Sequence, residues 1–584
     1  MDSLLKNIAR LRLVDSDTVF GIDAPGAAIT RPSQQFPSIN DLPPEILLEI
    51  FLFCGLPDKK RPKHKALEAS LRIGTVCRWW RKISLGCSDM WARCFSVAET
   101  SRETMKMILR RVKNDGIHFV LPNLPTETHR STGQIVWPSF IDFWKTARNA
   151  DLLGRAMSKS RSLSAPLTIA DGKFLQWGPI RQRLSQLDKI SLELTNIREC
   201  LMLEHGGLYD METQARWSTR SLTLVNCFFP LNPIFFPSLQ DLSITGLVGS
   251  KVALTPQSWL DILAELPQLR RLTLQDAMTD CQAQSLSSKD SSEDLDHPCP
   301  WTGAISDVCL PLLELLNIGS EFKQCTDLLN GLAVPATCDI FVYFHSLWEI
   351  CTSDFSSMTS WIQNRFNKDE PTLGQILFMQ MSNHTFAVRN STSPVFNLQA
   401  DFMREYDADG NVAHDAAFTP DEIFHALVEP LALPCRYIRD LQLLIDCEFN
   451  ATEHQNFWAH TFTPFIAVEK LSLLSHDSFC FMVPICQTGG FVDIFHRHEW
   501  KKMTLFPRLQ TLSSRDVNFV DPISDLGNIS LGKRLLNLVK IRRVACLGGQ
   551  VSNIKKIDIK KGNMGKQPGR KDCLKMALYG VQGL

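Results

Sequence analysis

Residues 39–54 read INDLPPEILLEIFLFC. Pro43 and Pro44 have a fixed φ angle and no N–H group, so they suit the first turn of a helix. Glu45 follows near the positive end of the helix dipole. From Ile46 onward the segment is almost entirely apolar, which predicts a helix that needs cover on nearly every side. Because a domain of about 50 residues cannot supply all of that cover, the rest of the chain or a partner protein must contribute to it.

A second helical pattern follows within the next 40 residues. Apolar residues recur there at three- and four-residue spacing, which places them on one helix face: Ile73, Val76, Cys77, Trp80 and Ile83. We expect Gly86 to end this helix in a left-handed conformation, and Ser88 to start a short turn that carries Met90 and Trp91. The two patterns together predict a small helical domain over residues 39–95.

The order of the motifs in these segments resembles an F-box. The sequence Leu-Pro-x-Glu-Ile-Leu begins at Leu42, Val-Cys-Arg-x-Trp-Arg begins at Val76, and Met-Trp begins at Met90. The stretch is similar to the F-box-like domains that are abundant in mushroom-forming fungi, with an insertion between the two blocks over residues 55–74. The alternative is an ordinary helical subdomain with a chance motif, since short motifs carry false positives.

The resemblance implies a partner and a set of contact residues. F-box domains dock on the SKP-family adaptor of cullin-based ubiquitin ligases, and the C-terminal remainder of such proteins usually selects a target protein. The adaptor-facing residues of the first block are then Leu42, Pro43, Ile46, Leu47, Ile50 and Phe51. The residues that complete this surface and its support are Val76, Cys77, Trp80 and Trp91.

The composition is that of an ordinary globular protein with no strong charge bias. The chain has 584 residues, of which 44% are hydrophobic and 21% charged, and its formal net charge is zero. Nothing in this balance favours nucleic acid or an anionic membrane as a partner. No apolar stretch approaches the ~20 residues of a membrane helix, and residues 1–13 do not read as a signal peptide. We therefore expect a cytoplasmic or nuclear protein with reduced, mostly buried cysteines.

A weak repeat begins at Leu187. Each copy spans six residues, and the first, fourth and sixth of them are apolar. Complete copies begin at Leu187, Leu239, Leu269, Leu313, Ile438 and Val468, and partial copies at Leu222 and Leu509. The last two apolar positions of each copy alternate, so they point to one face of a strand. The pattern resembles leucine-rich repeats, in which parallel strands lie side by side and helices, here 259–266, pack behind them.

The repeat also departs from that family. Its spacing is irregular and often longer than the usual 20–29 residues, and only Cys227 matches the polar position that follows the strand. We therefore expect an α+β protein with a small all-helical F-box and an irregular α/β solenoid of parallel strands. The alternative is a non-repeating α/β domain that is rich in leucine by chance. The predicted domains are residues 1–38 (helix and linker), 39–95 (F-box-like), 96–180 (helical connector), 181–545 (solenoid) and 546–584 (basic tail).

Three segments resemble ligand sites, but each lacks a residue that its chemistry requires. Residues 527–534 nearly match a phosphate loop, yet Arg534 replaces the Ser or Thr that binds Mg²⁺. Residues 405–416 begin like a calcium loop but end in Ala416, where a bidentate Glu is needed. Four possible soft ligands fit no common zinc spacing: Cys480, Cys486, His496 and His498. We therefore expect no catalytic residue, no metal and no cofactor.

Three functions stay open at this point. The leading hypothesis is a non-catalytic substrate-recognition subunit of an SKP–cullin–F-box ubiquitin ligase, whose target protein the sequence does not reveal. The alternative is an F-box-bearing scaffold or interaction protein without a ubiquitin-ligase role. The third is a hydrolase whose site is assembled from distant residues. The basic run 59–65 is either a nuclear-import signal or a solvated loop.

Overall fold

The computed structural model describes residues 39, 42–54, 63–95, 101–112, 116–120, 127–128, 135–136, 150–167, 186–194, 201–202, 217–228, 231, 236–247, 253–279, 308–345, 352–366, 374–382, 385–401, 427–446, 461–475, 478, 492–496, 499–503, 505–515, 535, 538–540, 542–543, 546 and 551–560. Helices dominate the N-terminal part: α1 Pro44–Cys54, α2 Lys63–Val76, α3 Arg78–Gly86, α4 Ser88–Arg93, α5 Arg102–Arg111 and α6 Ala150–Ser158.

The rest of the described chain is built on a sheet of 15 strands. In chain order they are β1 Ile117–Val120, β2 Ser160–Leu167, β3 Lys189–Leu194, β4 Ser221–Val225, β5 Asp241–Thr245, β6 Arg271–Gln275, β7 Leu315–Ser320, β8 Asp339–Phe344, β9 Ile376–Ser382, β10 Thr385–Asn390, β11 Phe396–Asp401, β12 Asp440–Asp446, β13 Lys470–Leu473, β14 Thr511–Arg515 and β15 Lys556–Lys560. The spatial order follows the chain except in the middle, where β8 is followed by β11, β10, β9 and then β12. Neighbouring strands are parallel apart from the pairs β9–β10 and β10–β11.

Four pairs of short strands lie outside this sheet. Parallel pairs join Leu201–Met202 with Cys227–Phe228 and Val308–Cys309 with Leu332–Ala333. Antiparallel pairs join Glu127–Thr128 with Ile135–Val136 and Val492–His496 with Glu499–Met503.

Helices cover one face of the sheet. They are α7 Pro256–Ala264, α8 Phe322–Asn330, α9 Thr352–Phe366 and α10 Ala432–Cys435, the last preceded by a 3₁₀ turn at Glu429–Leu431. Alternate strand residues such as Leu272 and Leu274 point to this face and are buried in one core with Trp259 of α7. The indole N–H of Trp259 donates to the carbonyl of Ala277 at 3.1 Å, which ties the helix to the end of β6.

The predicted repeat strands are confirmed. The strands that contain Ile190, Leu242, Leu272, Leu316, Leu441 and Leu471 all lie in the one sheet, where β3–β7 and β12–β13 pair in parallel. The partial copies also form strands, β4 and β14. Cys227 is fully buried beyond β4, and its thiol contacts the carbonyl of Leu192 on β3 at 3.7 Å. The polar position after the strand therefore links two neighbouring repeats.

The sheet extends beyond residues 181–545, the range predicted for the solenoid, at both ends. The connector expected over residues 96–180 contains β1 and β2, and the tail expected from residue 546 contains β15. Ile554, Ile557 and Ile559 carry the apolar spacing of the repeat, but charged residues separate them and hide the signal. The strands β8 to β11 were also missed. For β8 the reason is Thr337, which stands where the repeat has an apolar residue.

The helical domain and the sheet share one core. The phenyl ring of Phe95, at the end of the helical domain, lies 6.1 Å from the ring of Phe119 on β1. Between them α5 buries Met105, Ile108 and Leu109. The ammonium of Lys159 donates to the carbonyls of Leu109 and Val112 at the C-terminal end of α5. The carbonyls at a helix C-terminus favour a nearby cation. Within the described residues, no helix is long and apolar enough to cross a membrane.

Candidate docking surface

Helix α1 divides its apolar residues between a buried and an exposed side. It begins at Pro44, and the N–H of Leu47 donates to the carbonyl of Pro43 at 3.1 Å. Leu47 and Phe51, one turn apart, are 0% and 1% exposed and belong to the core. Ile46 is 43% exposed and Phe53 is 48% exposed. The helix thus keeps apolar surface outside the core, as expected for a helix that is apolar on nearly every side.

The second helical segment is broken in the middle. The sequence predicted one helix through Ile73, Val76, Cys77 and Trp80, but α2 ends at Val76 and α3 begins at Arg78. Cys77 is extended, with φ −156° and ψ 171°, and its sulfur accepts the N–H of Trp80 at 3.4 Å. Cys77 is therefore the N-cap of α3. Its capping contact replaces a helical bond, and the break turns Val76 outward to 45% exposure.

The end of α3 also differs from the prediction. Gly86 is the last helical residue and does not adopt a positive φ, whereas Cys87 is extended and ends the helix. The expected short turn at Ser88 is confirmed as α4, which buries Met90 and Trp91. Burial raises the pKa of the Cys87 thiol.

Aromatic contacts hold the helices of this domain together. The ring of Phe51 on α1 lies 5.0 Å from that of Trp80 on α3. The indole N–H of Trp91 donates to the carbonyl of Ser84 at 2.8 Å, so α4 is fixed against the end of α3. The guanidinium of Arg111 lies 4.2 Å from the centre of the Trp91 ring, which anchors α5 on the same core. These buried rings hold α1 with its exposed side outward.

Exposed apolar side chains concentrate in this domain. Among the described residues, nine large hydrophobic side chains are exposed, and six of them lie within residues 39–95: Ile46, Phe53, Leu71, Val76, Trp79 and Leu85. On α1, Pro43, Ile46, Ile50 and Phe53 follow at three- and four-residue spacing and form one stripe along the helix. We call these four residues the α1 stripe. Concentrations of exposed apolar groups are typical of surfaces that bind another protein.

The structure divides the ten residues carried over from the F-box resemblance. Pro43, Ile46 and Val76 are exposed, while Leu42, Ile50 and Cys77 are half-buried. Trp80 and Trp91 are buried, which fits the supporting role expected of them. Leu47 and Phe51, for which the resemblance implies an adaptor-facing role, are buried in the chain's own core.

Sequence reasoning missed Phe53 and Trp79 as exposed apolar residues. A signal for each was present. Phe53 lies three residues beyond Ile50 and therefore continues the stripe. Trp79 is adjacent to Trp80, and neighbouring helical residues point in different directions, so both cannot enter one core.

The remaining predicted sites fall outside the described residues. They are the phosphate-like loop 527–534, the calcium-like loop 405–416 and the side chains of Cys480, Cys486, His496 and His498. The same holds for residues 59–62 of the basic run, whereas 63–65 form the first turn of α2. Within the part of the chain that the structure describes, no three His, Cys, Asp or Glu side chains are grouped as a metal site would need.

Residues 39–96 match the family model described as F-box-like. No curated protein matches the chain. Among solved structures, the chain is similar to the leucine-rich repeat-containing protein LegL7 from Legionella pneumophila, with 12% sequence identity. The similarity covers 72% of this chain and 91% of that chain, at a TM-score of 0.22.

Proposed function

We propose that this chain, which carries an F-box-like domain over residues 39–96, is a non-catalytic substrate-recognition subunit of an SKP–cullin–F-box ubiquitin ligase. F-box domains generally bind SKP-family adaptors. The observation that carries the proposal is the concentration of exposed apolar side chains within the matched domain. In this role the domain binds the adaptor, and the adaptor connects it to a cullin.

The proposed adaptor contact is the α1 stripe together with the exposed Val76 and Trp79. Each of these side chains leaves water when a partner covers it, and burying one large apolar side chain contributes about 1.5–3 kcal/mol. Leu47, Phe51, Trp80 and Trp91 contribute indirectly, because they hold the stripe in place from inside. This assignment separates residues that bind from residues that support.

The sheet region is proposed to hold the target protein. Phe95 and Phe119 pack the helical domain against the first strand, so a target bound on the sheet is held in a defined position relative to the adaptor. The mechanism is then one of proximity: the target's lysines are kept close to the ubiquitin-loaded enzyme, which raises their effective concentration. No side chain of this chain takes part in bond making or breaking.

The experiment measures the affinity of the full-length chain for a purified SKP-family adaptor by calorimetry. Ile46→Ala and Phe53→Ala are each expected to weaken binding by roughly 10- to 100-fold, because each removes apolar area from the contact. The matched control is Leu312→Ala, which is 42% exposed but lies far from the F-box-like domain in the sequence. Unchanged affinity in both stripe variants, or no binding by the parent chain, would refute the adaptor contact.

The second candidate function is an F-box-bearing scaffold that binds the adaptor without ubiquitination. The same apolar surface supports it, so adaptor affinity does not separate the two. Reconstitution with adaptor, cullin and ubiquitin-loading enzymes separates them. In this assay, ubiquitin transfer is measured to a cellular protein that the chain has captured. Transfer that is lost in the Ile46→Ala variant supports the ligase role, and a captured protein that is never modified supports the scaffold.

A further inference from the structure

On the sheet face opposite α7, α8 and α9, the side chains change from small and polar to large and aromatic towards the centre of the sheet. Over β3 to β6 the middle residues of this face are small and polar, and they are aligned by the strand register: Ser191, Thr223, Ser243 and Thr273. At β8 the same row continues with Phe341, and at β9 it contains Phe378. Both rings are half-exposed. The large aromatic side chains of this row therefore lie at the inserted strands β9–β11, Phe378 on β9 and Phe341 on the adjoining strand β8.

Arg389 lies between these two rings. It is paired directly with Phe378 across the antiparallel strands β9 and β10, and its guanidinium carbon is 4.1 Å from the centre of the Phe378 ring. The side chain is exposed. Among the described residues, no carboxylate or carbonyl accepts a hydrogen bond from its N–H groups. The contact with the Phe378 ring holds the guanidinium on this face of the sheet, where a cation and an aromatic ring attract each other.

The carboxylates of Asp339 and Asp401, on the same sheet face as Arg389, each accept a hydrogen bond from another group. Asp401 accepts a hydrogen bond from the hydroxyl of Tyr343, and burial together with this bond raises the pKa of Tyr343 to about 12. Asp339 accepts the N–H of Val395 at 2.6 Å. The residues that flank Arg389 in its own row are the amides Asn397 on one side and, beyond Phe378, Gln442. Among the described residues, the centre of the row therefore presents one cation without a carboxylate partner, between aromatic and amide groups.

We propose that Phe341, Phe378 and Arg389 form the target-binding site, and that its occupant is an extended peptide segment with an Asp or Glu next to an apolar residue. A carboxylate matches the fork of a guanidinium through two parallel hydrogen bonds. The two rings supply apolar surface for the apolar residue of the peptide. Arginine and aromatic side chains are enriched at the hot spots of protein interfaces. A single guanidinium suits a carboxylate, whereas phosphate groups are recognised by clusters of Arg. This inference rests on the proposed function of the sheet.

The test uses the full-length chain bound to the SKP-family adaptor and a displayed library of random nine-residue peptides. The parent chain is expected to enrich peptides in which Asp or Glu adjoins Leu, Ile, Phe or Met. Arg389→Glu is expected to lose these peptides and to enrich Lys or Arg at the same position. The matched control is Arg515→Glu, since Arg515 is an exposed arginine on the same sheet face, where no aromatic ring stacks on it among the described residues. The control is expected to enrich the parent's peptides.

Synthetic versions of an enriched peptide measure the size of the effect. Replacing its acidic residue by Gln is expected to weaken binding by roughly 10- to 100-fold, as the loss of a charge-assisted hydrogen bond predicts. Phe378→Leu, which keeps an apolar side chain but removes the aromatic ring, is expected to weaken binding of the acidic peptide more than binding of a Gln peptide. A phosphoserine version that binds more tightly than the Glu version would overturn the carboxylate assignment.

Failure of the peptide site and failure of the proposed ligase function give different results. Adaptor capture and the melting curve are recorded for each variant in the same preparation. If the parent enriches no acidic peptides, or if Arg389→Glu enriches the same peptides as the parent, the site is refuted whether or not the adaptor binds. If the adaptor fails to bind the parent chain, the ligase role is refuted. The peptide selection is then carried out on the chain without the adaptor, and it still tests the site.

Discussion

The indole ring of Trp80 and the phenyl ring of Phe51 lie with their centres 5.0 Å apart at an interplanar angle of 56°. Phe51 is 1% exposed and Trp80 is 9% exposed. This contact joins α1, which precedes the insertion, to α3, which follows it. It is therefore one of the packing contacts that hold the α1 stripe outward.

Removing the Trp80 ring is expected to destabilise the helical domain. Trp80→Ala leaves a cavity beside Phe51, and such changes lower the free energy of unfolding by about 3–5 kcal/mol. Trp79→Ala is the matched control, because Trp79 is the same residue type at the next position but is 40% exposed. We expect its effect on the free energy of unfolding to stay below about 1 kcal/mol. Urea unfolding monitored by circular dichroism measures both, and equal losses would contradict the packing described here.

Gly246 is expected to resist substitution by a residue with a side chain. Its φ is +79°, and a Cβ atom there would overlap the side-chain oxygen of Asn226 on the neighbouring repeat. Gly246→Ala is therefore expected to lower the free energy of unfolding by about 1–3 kcal/mol. In an Asn226→Gly background the added loss is expected to be smaller, because the overlap is gone and only the backbone strain remains. A thermodynamic cycle over the four proteins measures the difference, and strict additivity would contradict the overlap.

Arg365 is expected not to be replaceable by lysine. Its guanidinium donates to the carbonyls of Val334, Pro335, Ala336 and Cys338 at 3.0, 2.7, 3.0 and 3.4 Å. Burial lowers the pKa of Arg365, and these bonds keep the charged group satisfied. A lysine cannot reproduce the planar arrangement of donors, so Arg365→Lys is expected to cost about 2–4 kcal/mol of unfolding free energy. Arg508→Lys, at an exposed position, is the control and should change little.

The cysteines are expected to separate by reactivity. Burial raises the pKa of the Cys325 and Cys435 thiols well above the ordinary value, and both side chains are 0% exposed. Cys309 is exposed. Because the thiolate is the form that reacts, brief alkylation of the native chain at pH 8 should modify Cys309 and spare the two buried thiols. Mass spectrometry of the digested chain measures this, with urea-unfolded chain as the control in which all three react.

The sequence determined the elements whose signals are local. Pro43 and Pro44 at the start of an apolar run specify a helix because proline is tolerated in the first turn. The spacing at Leu239, Leu242 and Ile244 specifies a strand with one buried face, because strand side chains alternate. The repeated spacing also predicted that these strands lie side by side, and the sheet confirms it.

The tertiary structure alone decided which apolar residues face outward and how the middle of the sheet is ordered. Ile46 and Leu47 are adjacent and equally apolar, but only Leu47 meets the core. The insertion of β11, β10 and β9 between β8 and β12 likewise depends on pairings that no local pattern encodes. The physical reason is the same in both cases. Burial and strand pairing are set by contacts between residues far apart in the chain, and an apolar residue has the same sequence signature whether its own chain or a partner covers it.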